Sequence, residues 1–266
     1  MLPFVYCIYN SLHFYDLTKP ARGTPWVGAT NYSLLIQDAR FWHSLKITFY
    51  FVAAGVSIEL ALGYVIASLL NEVKARKVFL PLFLIPMIIP PIVVGLIWRL
   101  MYDFTLGIIN YLLGSVGFLP QPWLGTSSLA MLSIIITDVW EWTPLMGLIL
   151  LAGLQALPQE PYEAAKIDGA GMWNVLRYIT LPMLKPIILV AVLLRTMDAF
   201  KWFDTIYIMT SGGPGIATET ASLYSYLIAF NFFNIGKGSA FSIIMIAIVI
   251  LFCTFYIRMI TAKEHA

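Results

Sequence analysis

The chain has 266 residues, 60% of them hydrophobic and 11% charged, with a formal net charge of +2 and a mean hydropathy of +0.83. A typical soluble domain is about 45–50% apolar and about 25% charged, so a soluble enzyme and a disordered chain are both excluded, and the small net charge gives nucleic acid no footprint. What remains is a polytopic chain whose solvent is largely lipid.

The first apolar run, Leu2 to Phe14, is too short to cross alone: at 1.5 Å per residue it reaches about 20 Å of a core about 30 Å thick. It has neither the basic n-region nor the small-residue cleavage site of a signal peptide. It reads as a first span that lacks its beginning, and the natural chain is expected to extend upstream. Full-length runs follow at 46–70, 78–102, 128–154, 186–210 and 239–260. The expectation is an all-α membrane protein, one domain over 1–266, with six transmembrane helices, the first truncated. The 78–102 run carries Pro81, Pro86, Pro90 and Pro91; each removes a helical hydrogen bond, so a kink or unwinding is expected near Pro90.

Lys and Arg set the orientation. Segments 71–77, 155–185 and 258–266 hold 8 basic residues in 47 positions, against 4 in 84 for segments 15–45, 103–127 and 211–238. The first set, and with it both termini, is expected in the cytoplasm. Trp26, Trp42, Tyr111 and Trp123 lie in or beside the outer segments, as interface aromatics would.

Charge at mid-span is the least expected feature, at roughly 2.5–3.5 kcal/mol per residue on insertion scales. Glu59, Asp138, Glu141, Arg195, Asp198, Lys201 and Asp204 all sit there. At about 100° per residue, Asp138, Glu141 and Trp142 share a helix face, and Trp140 points nearly opposite. Arg195, Asp198 and Trp202 share another face, and steps of three allow Arg195–Asp198 and Asp198–Lys201 pairs. The reading adopted is midplane ion pairing for Arg195, Asp198 and Lys201. For Asp138, Glu141 and Trp142 it is a wet substrate path, in which carboxylates accept hydroxyl hydrogen bonds and an indole covers a sugar ring. The competing reading pairs Asp138 and Glu141 with Arg195 or Lys201 across helices.

Catalytic and cofactor signals are weak. Cys7 and Cys253 sit in apolar runs, and His13, His43 and His265 lie away from the membrane centre. Gly236-Lys237 lacks the rest of a phosphate-binding loop. No cofactor is expected on this chain.

The polar segment 155–185 has a different character. Pro161 suits the first turn of a helix, Glu160 and Glu163 suit its positive end, and Gly169 and Gly171 stop it. Such a short displayed helix fits either a partner's groove or the lipid interface. Glu163, Ala164 and Ala165, then Gly169, Ile179, Leu181 and Pro182, at that spacing, resemble the EAA loop of ABC importer permeases. Gln155 to Pro158, Asp168 to Gly171 and Thr210 to Pro214 are similar to carbohydrate importer permeases of the maltose-type first permease and glycerol-3-phosphate kind.

That resemblance implies a type I ABC importer permease fold and half of a pathway for a sugar or sugar-like solute. It implies a second permease subunit, two ATPase subunits that bind ATP and Mg, and an extracytoplasmic solute-binding protein, in a prokaryotic inner membrane. It assigns coupling to the ATPase to Glu163, Ala164, Ala165, Asp168 and Gly169, and puts Asp138 where a sugar-contacting polar residue lies. A proton-coupled secondary carrier and an intramembrane enzyme are the rivals; a carrier would often show internal repeats, and none is evident.

Overall fold

The computed structural model describes residues 2–261, so Lys263 and His265 lie outside the described residues. The chain is helical nearly throughout: α1 (Leu2–Ser11), α2 (Thr30–Ile36), α3 (Ala39–Glu72), α4 (Arg76–Ile88), α5 (Pro91–Met101), α6 (Ile108–Ser115), α7 (Ser127–Ala156), α8 (Glu160–Ile167), α9 (Met172–Val175), α10 (Leu181–Phe200), α11 (Asp204–Thr210), α12 (Ala221–Tyr226) and α13 (Ile235–Thr261). Among the described residues the only β-pairing is two isolated bridges, His13–Trp26 and Asp16–Asn234.

Among the described residues four helices, Ala39–Glu72, Ser127–Ala156, Met172–Phe200 and Ile235–Arg258, are each long and apolar enough to cross; α4 and α5, bent by 91° at their break, make a fifth if the pair is one span and a re-entrant loop if it is not. The bend falls at Ile89–Pro90, where Pro90 and Pro91 donate no backbone hydrogen bond. At 10 residues α1 is below spanning length, and it packs on α13.

Two boundaries differ from the sequence reading. The fourth span is Met172–Phe200, not 186–210. It starts inside the expected loop because α9 runs on through a π-helical turn, Leu176–Thr180, into α10. That wider turn, in which Leu181 N–H donates to Leu176 O, precedes Pro182 and accommodates its missing donor. The same span ends early, at Phe200. The chain unwinds at Lys201–Phe203, where Trp202 turns inward and stacks on Phe51 (5.2 Å, 6°), and Asp204 starts the separate α11.

Helix α7 is the axis of the bundle: 67% of its most apolar stretch is buried, against 11% for α13. Lipid tails do not drive apolar helices together, so close contact needs small or polar residues. Gly63 and Gly147 supply it for α3 and α7: a Cβ on Gly63 would lie 3.0 Å from Gly147 N, and one on Gly147 would lie 2.9 Å from the Phe83 ring of α4. The two broken spans meet each other. α5 packs on α11, with Gly95 against Ile208, Thr205 Oγ1 donating to Pro91 O (3.1 Å) and Arg99 Nη1 to Ile208 O (2.9 Å).

Candidate functional site

Three helices deliver charge to one point at mid-bundle. Arg195 on α10 donates through Nε to Glu59 Oε2 (2.8 Å) and through Nη2 to Glu59 Oε1 (2.9 Å) on α3. The same Nη2 donates to Asp138 Oδ1 on α7 (2.5 Å). Arg195, Glu59 and Asp138 are all buried. A guanidinium fork matches a carboxylate through two parallel bonds, which is why arginine rather than lysine suits such a place. Trp142 lies beside it, with the Arg195 Cζ 5.4 Å from the ring centroid. Gly55 leaves room for Asp138: a Cβ there would approach Asp138 Oδ2 to 3.0 Å.

The arrangement corrects two expectations. Asp138 does not face an open cavity; it is held by Arg195, the cross-helix alternative. Arg195 in turn pairs across helices with Glu59 and Asp138 rather than locally with Asp198, because two buried carboxylates would otherwise stand without a cation. Asp198 pairs with Lys201 instead (2.9 Å), and the Lys201 side chain is 76% exposed. Glu141 is buried on the Asp138 side of α7, and neither of its oxygens has a hydrogen-bond partner. Asp138 Oδ2, Arg195 Nη1, Trp142 Nε1 and Trp202 Nε1 share that condition. Thus Asp138, Glu141, Trp142 and Arg195 do come together, whereas Asp198 and Lys201 lie at the rim.

Glu59 completes the site, and sequence reasoning did not join it to Arg195. The signal for Glu59 was its mid-span charge, but pairing between helices 136 residues apart leaves no local pattern. Beside the break at Lys201–Phe203 an open, mainly apolar groove of about 570 Å³ is lined by Phe200, Phe203, Tyr226 and Phe230, by Ser222, Ser225 and Ser242, and by an aliphatic wall of Met197, Met245, Ile246, Val249 and Ile250. Aromatic faces with hydroxyls suit an amphipathic, hydroxylated solute.

At one end of the bundle, 155–171 forms the displayed segment. Glu160 and Glu163 occupy the first turn of α8. Glu163, Ala164, Asp168 and Gly169 are exposed, but Ala165 is buried, so it packs inward rather than outward. Gly169 has φ +70°, a left-handed conformation that glycine takes without a Cβ penalty, and Ala170 N–H then donates to Ala165 O (2.9 Å). Tyr162 Oη ties α8 to Thr180 Oγ1 (3.2 Å). Ile167, Met172, Trp173 and Tyr178 stand exposed around it, an apolar surface next to two acids.

The opposite end is clamped by ion pairs that the sequence did not reveal. Arg40 donates to both oxygens of Glu219 (2.7 and 2.5 Å). Asp38 Oδ2 accepts from Lys237 Nζ (2.8 Å) and Tyr224 Oη (2.7 Å). Burial pushes the Asp38 carboxyl up, but the Lys237 and Tyr224 hydrogen bonds outweigh it and hold it below the ordinary carboxylate range. Trp123, expected at the lipid interface, is half-buried and donates to Asn110 Oδ1 (2.9 Å); Trp26, Trp42 and Tyr111 are exposed.

The site thus belongs to a bundle of membrane-spanning helices with a buried charged centre and an exposed helical segment at one end. Residues 59–264 match the family described as "Binding-protein-dependent transport system inner membrane component", and the chain belongs to that family. It is a permease subunit of a binding-protein-dependent ABC importer of the inner membrane, and ATP hydrolysis falls to other subunits. It is 44% identical over 262 residues, covering 97% of this chain and 87% of the relative, to the trehalose/maltose transport system permease protein MalF of Thermococcus litoralis. It is 34% identical to the sulfoquinovosyl glycerol transport system permease protein SmoG of Agrobacterium fabrum, with 98% and 85% covered. It is 35% identical to the trehalose transport system permease protein SugA of Mycobacterium tuberculosis, with 98% and 83% covered. In fold it is similar to a chain of a bacterial ABC transporter involved in the import of the acidic polysaccharide alginate, with a TM-score of 0.82 at 20% identity over 96% of this chain and 88% of that one.

Proposed function

We infer that this chain forms half of the pathway for a sugar or sugar-like solute, paired with a second permease subunit. Two ATPase subunits serve the permease pair, one of them docking on the 155–171 segment of this chain, with Glu163, Ala164, Asp168 and Gly169 at the contact and Ala165 supporting it from inside. ATP and Mg belong to those subunits. A solute-binding protein delivers cargo to the opposite face. The coupling segment and the C-terminal end of α13 face the cytoplasm.

The observation that carries the solute class is the set of buried polar atoms without partners at Glu141, Trp142 and Trp202; a groove carrying aromatic rings and hydroxyls opens beside Lys201–Phe203. Buried polar groups are ordinarily satisfied, so a set of them in a membrane protein suits a cargo that supplies hydroxyls. The printed names of the relatives, trehalose, maltose and sulfoquinovosyl glycerol permeases, support the same class. Nothing in this site performs chemistry; the chain contributes different binding energies in its two access states.

The test is vanadate-sensitive, solute-stimulated ATP hydrolysis by the reconstituted assembly, screened over oligosaccharides and polyol phosphates. Stimulation by one or more hydroxylated solutes is the expected result. Uptake by this chain alone, driven by a proton gradient without ATP, would instead establish a secondary carrier using the midplane carboxylates.

A further inference from the structure

The turn between α3 and α4 gathers positive charge that the chain itself does not answer. Lys74 and Lys77 are exposed and Arg76 is half-buried, and among the described residues none of the three has an ion-pair partner. Glu72 is the one acid in 71–77. The two helices that leave this turn wall an open groove of about 630 Å³, with Ile58, Leu62 and Ile66 on α3, Leu82, Phe83 and Pro86 on α4, and α7 as its floor. No charged residue lines it. Ile66 is six residues from Glu72, and Leu82 six from Arg76, so the groove opens about 9 Å below the basic residues. The polar zone of a bilayer is about 5–8 Å deep on each side. From Ile66 to Ile58 the α3 wall runs about 12 Å, close to the roughly 15 Å of hydrocarbon that one leaflet supplies. Beyond that the walls differ. α5 leaves α4 at 91° and sets Trp98 edge-on to Trp140 of α7 (ring centroids 5.6 Å apart, 69° between planes), so the α4 wall stops at Pro86. A partner's spanning helix would need both walls through the whole membrane; a chain that enters from one leaflet does not.

We propose that this groove holds one acyl chain of an anionic phospholipid, whose phosphate sits on Lys74, Arg76 and Lys77. The apolar lining takes the chain, and the unpaired basic cluster at the mouth takes the charge. A zwitterionic lipid offers the same chain but brings a cation of its own to the basic residues, so the site discriminates by head-group charge. The bound chain lies between α4 and the α3–α7 seam, against Phe83, the ring that Gly147 leaves room for. It therefore steadies the helix that leads into the break at Ile89–Pro90. The inference needs only a bilayer around α3 and α4 and does not rest on the solute reading.

The experiment uses the assembled importer in phosphatidylcholine vesicles that contain a brominated lipid, either phosphatidylglycerol or phosphatidylcholine, since bromine on an acyl chain quenches an indole it touches. Trp98 and Trp140 report from inside the groove. Each Lys or Arg near an anionic surface contributes about fivefold in affinity. Brominated phosphatidylglycerol should therefore quench at a mole fraction lower than brominated phosphatidylcholine by about tenfold or more. Trp98→Phe with Trp140→Phe should remove that early phase. Lys74→Gln with Lys77→Gln should remove most of the preference, at about fivefold per residue, while Arg76 stays to hold the topology. Leu62→Phe with Leu82→Phe fills the groove and should erase the preference with the basic cluster intact. Inorganic phosphate should displace nothing. Equal quenching by the two lipids in wild type overturns the proposal, and so does a preference that survives the Lys pair or the Trp pair. A preference that survives the Phe pair, or that yields to inorganic phosphate, means a head group held at the surface with no chain in the groove, and overturns it. Groove tryptophans that neither lipid quenches mean that a partner subunit covers the groove, and overturn it too. Should the Phe pair fail to assemble, the Lys pair and the Trp pair still decide.

Discussion

Replacing Arg195 by Met leaves a side chain of similar length and removes the cation from the midplane cluster. Three charge-assisted hydrogen bonds go with it: two to Glu59 at 2.8 and 2.9 Å and one to Asp138 at 2.5 Å. Both acids are buried, so water does not replace them. Breaking a buried pair by removing one partner costs about 3–5 kcal/mol. Glu59→Gln keeps an acceptor but loses charge assistance, which costs about 1.5–3 kcal/mol. With Arg195 already gone, Glu59→Gln instead removes an uncompensated buried charge, and its cost should vanish or reverse. The double variant is then no less stable than Arg195→Met, and the cycle gives a coupling of at least about 1.5 kcal/mol. Reversible unfolding of the purified chain in mixed micelles, for the four members of the cycle, measures it. Additivity of the two single changes within about 0.5 kcal/mol would show that the pair contributes no interaction energy and that the bundle is held by other contacts.

Other outcomes follow from the same structure. Glu163→Ala should leave insertion intact and weaken ATPase association, read by co-purification; Glu163 is exposed and makes no internal ion pair among those described. Gly169→Ala meets nothing within 4 Å but must keep φ +70°, a strain of roughly 1–2 kcal/mol, so coupled transport falls while the spans stay folded, as circular dichroism would record. Gly63→Ala brings a Cβ to 3.0 Å from Gly147 N; overpacking of about 1–3 kcal/mol should lower the melting temperature, and an unchanged value would contradict the tight α3–α7 seam. The Asp38 carboxyl is held below its ordinary range, so its contribution is fully present above the unfolded value of about 3.9 and is lost as pH falls through the lower folded value. Asp38→Asn should therefore melt lower than wild type at pH 7 and converge with it in acid.

Much of this was legible in the sequence because membrane burial imposes simple arithmetic. The long apolar helices, the bend at Pro90 and the displayed coupling segment follow from apolar length, proline and charge. What was not legible depends on contacts between distant residues. Glu59 stands out as a mid-span charge, but nothing near it names Arg195 as partner. The local pairing rule offered Asp198 to Arg195, and burial overrode it, since a half-exposed pair with Lys201 satisfies Asp198 more cheaply. The register of the fourth span was misplaced because Pro182 and Pro186 look like breakers in sequence. A π-helical turn at Leu176–Thr180 absorbs the first of them, while Lys201–Phe203, which has no breaker, unwinds. There the inward stacking of Trp202 on Phe51 decides, and that is a tertiary effect.

The polar cluster and the breaks also explain each other. In lipid, helices gain little by apolar contact alone, so the α3–α7 seam relies on Gly55, Gly63, Gly147 and the Arg195 bridge, all of which demand fixed geometry. The α5–α11 pair has no such anchor. It is held by one glycine contact and two hydrogen bonds from side chains to backbone, Thr205 to Pro91 and Arg99 to Ile208. Each member is joined to its neighbouring span through unwound chain, at Ile89–Pro90 and at Lys201–Phe203. A rigid seam beside a pair hinged at both entrances can change access without repacking its own core. Freed backbone groups at the hinges need protein or a wet cavity to satisfy them, and the aromatic groove opens at the second hinge. The persistence of broken helices in this bundle is thus a consequence of where its polar groups are placed.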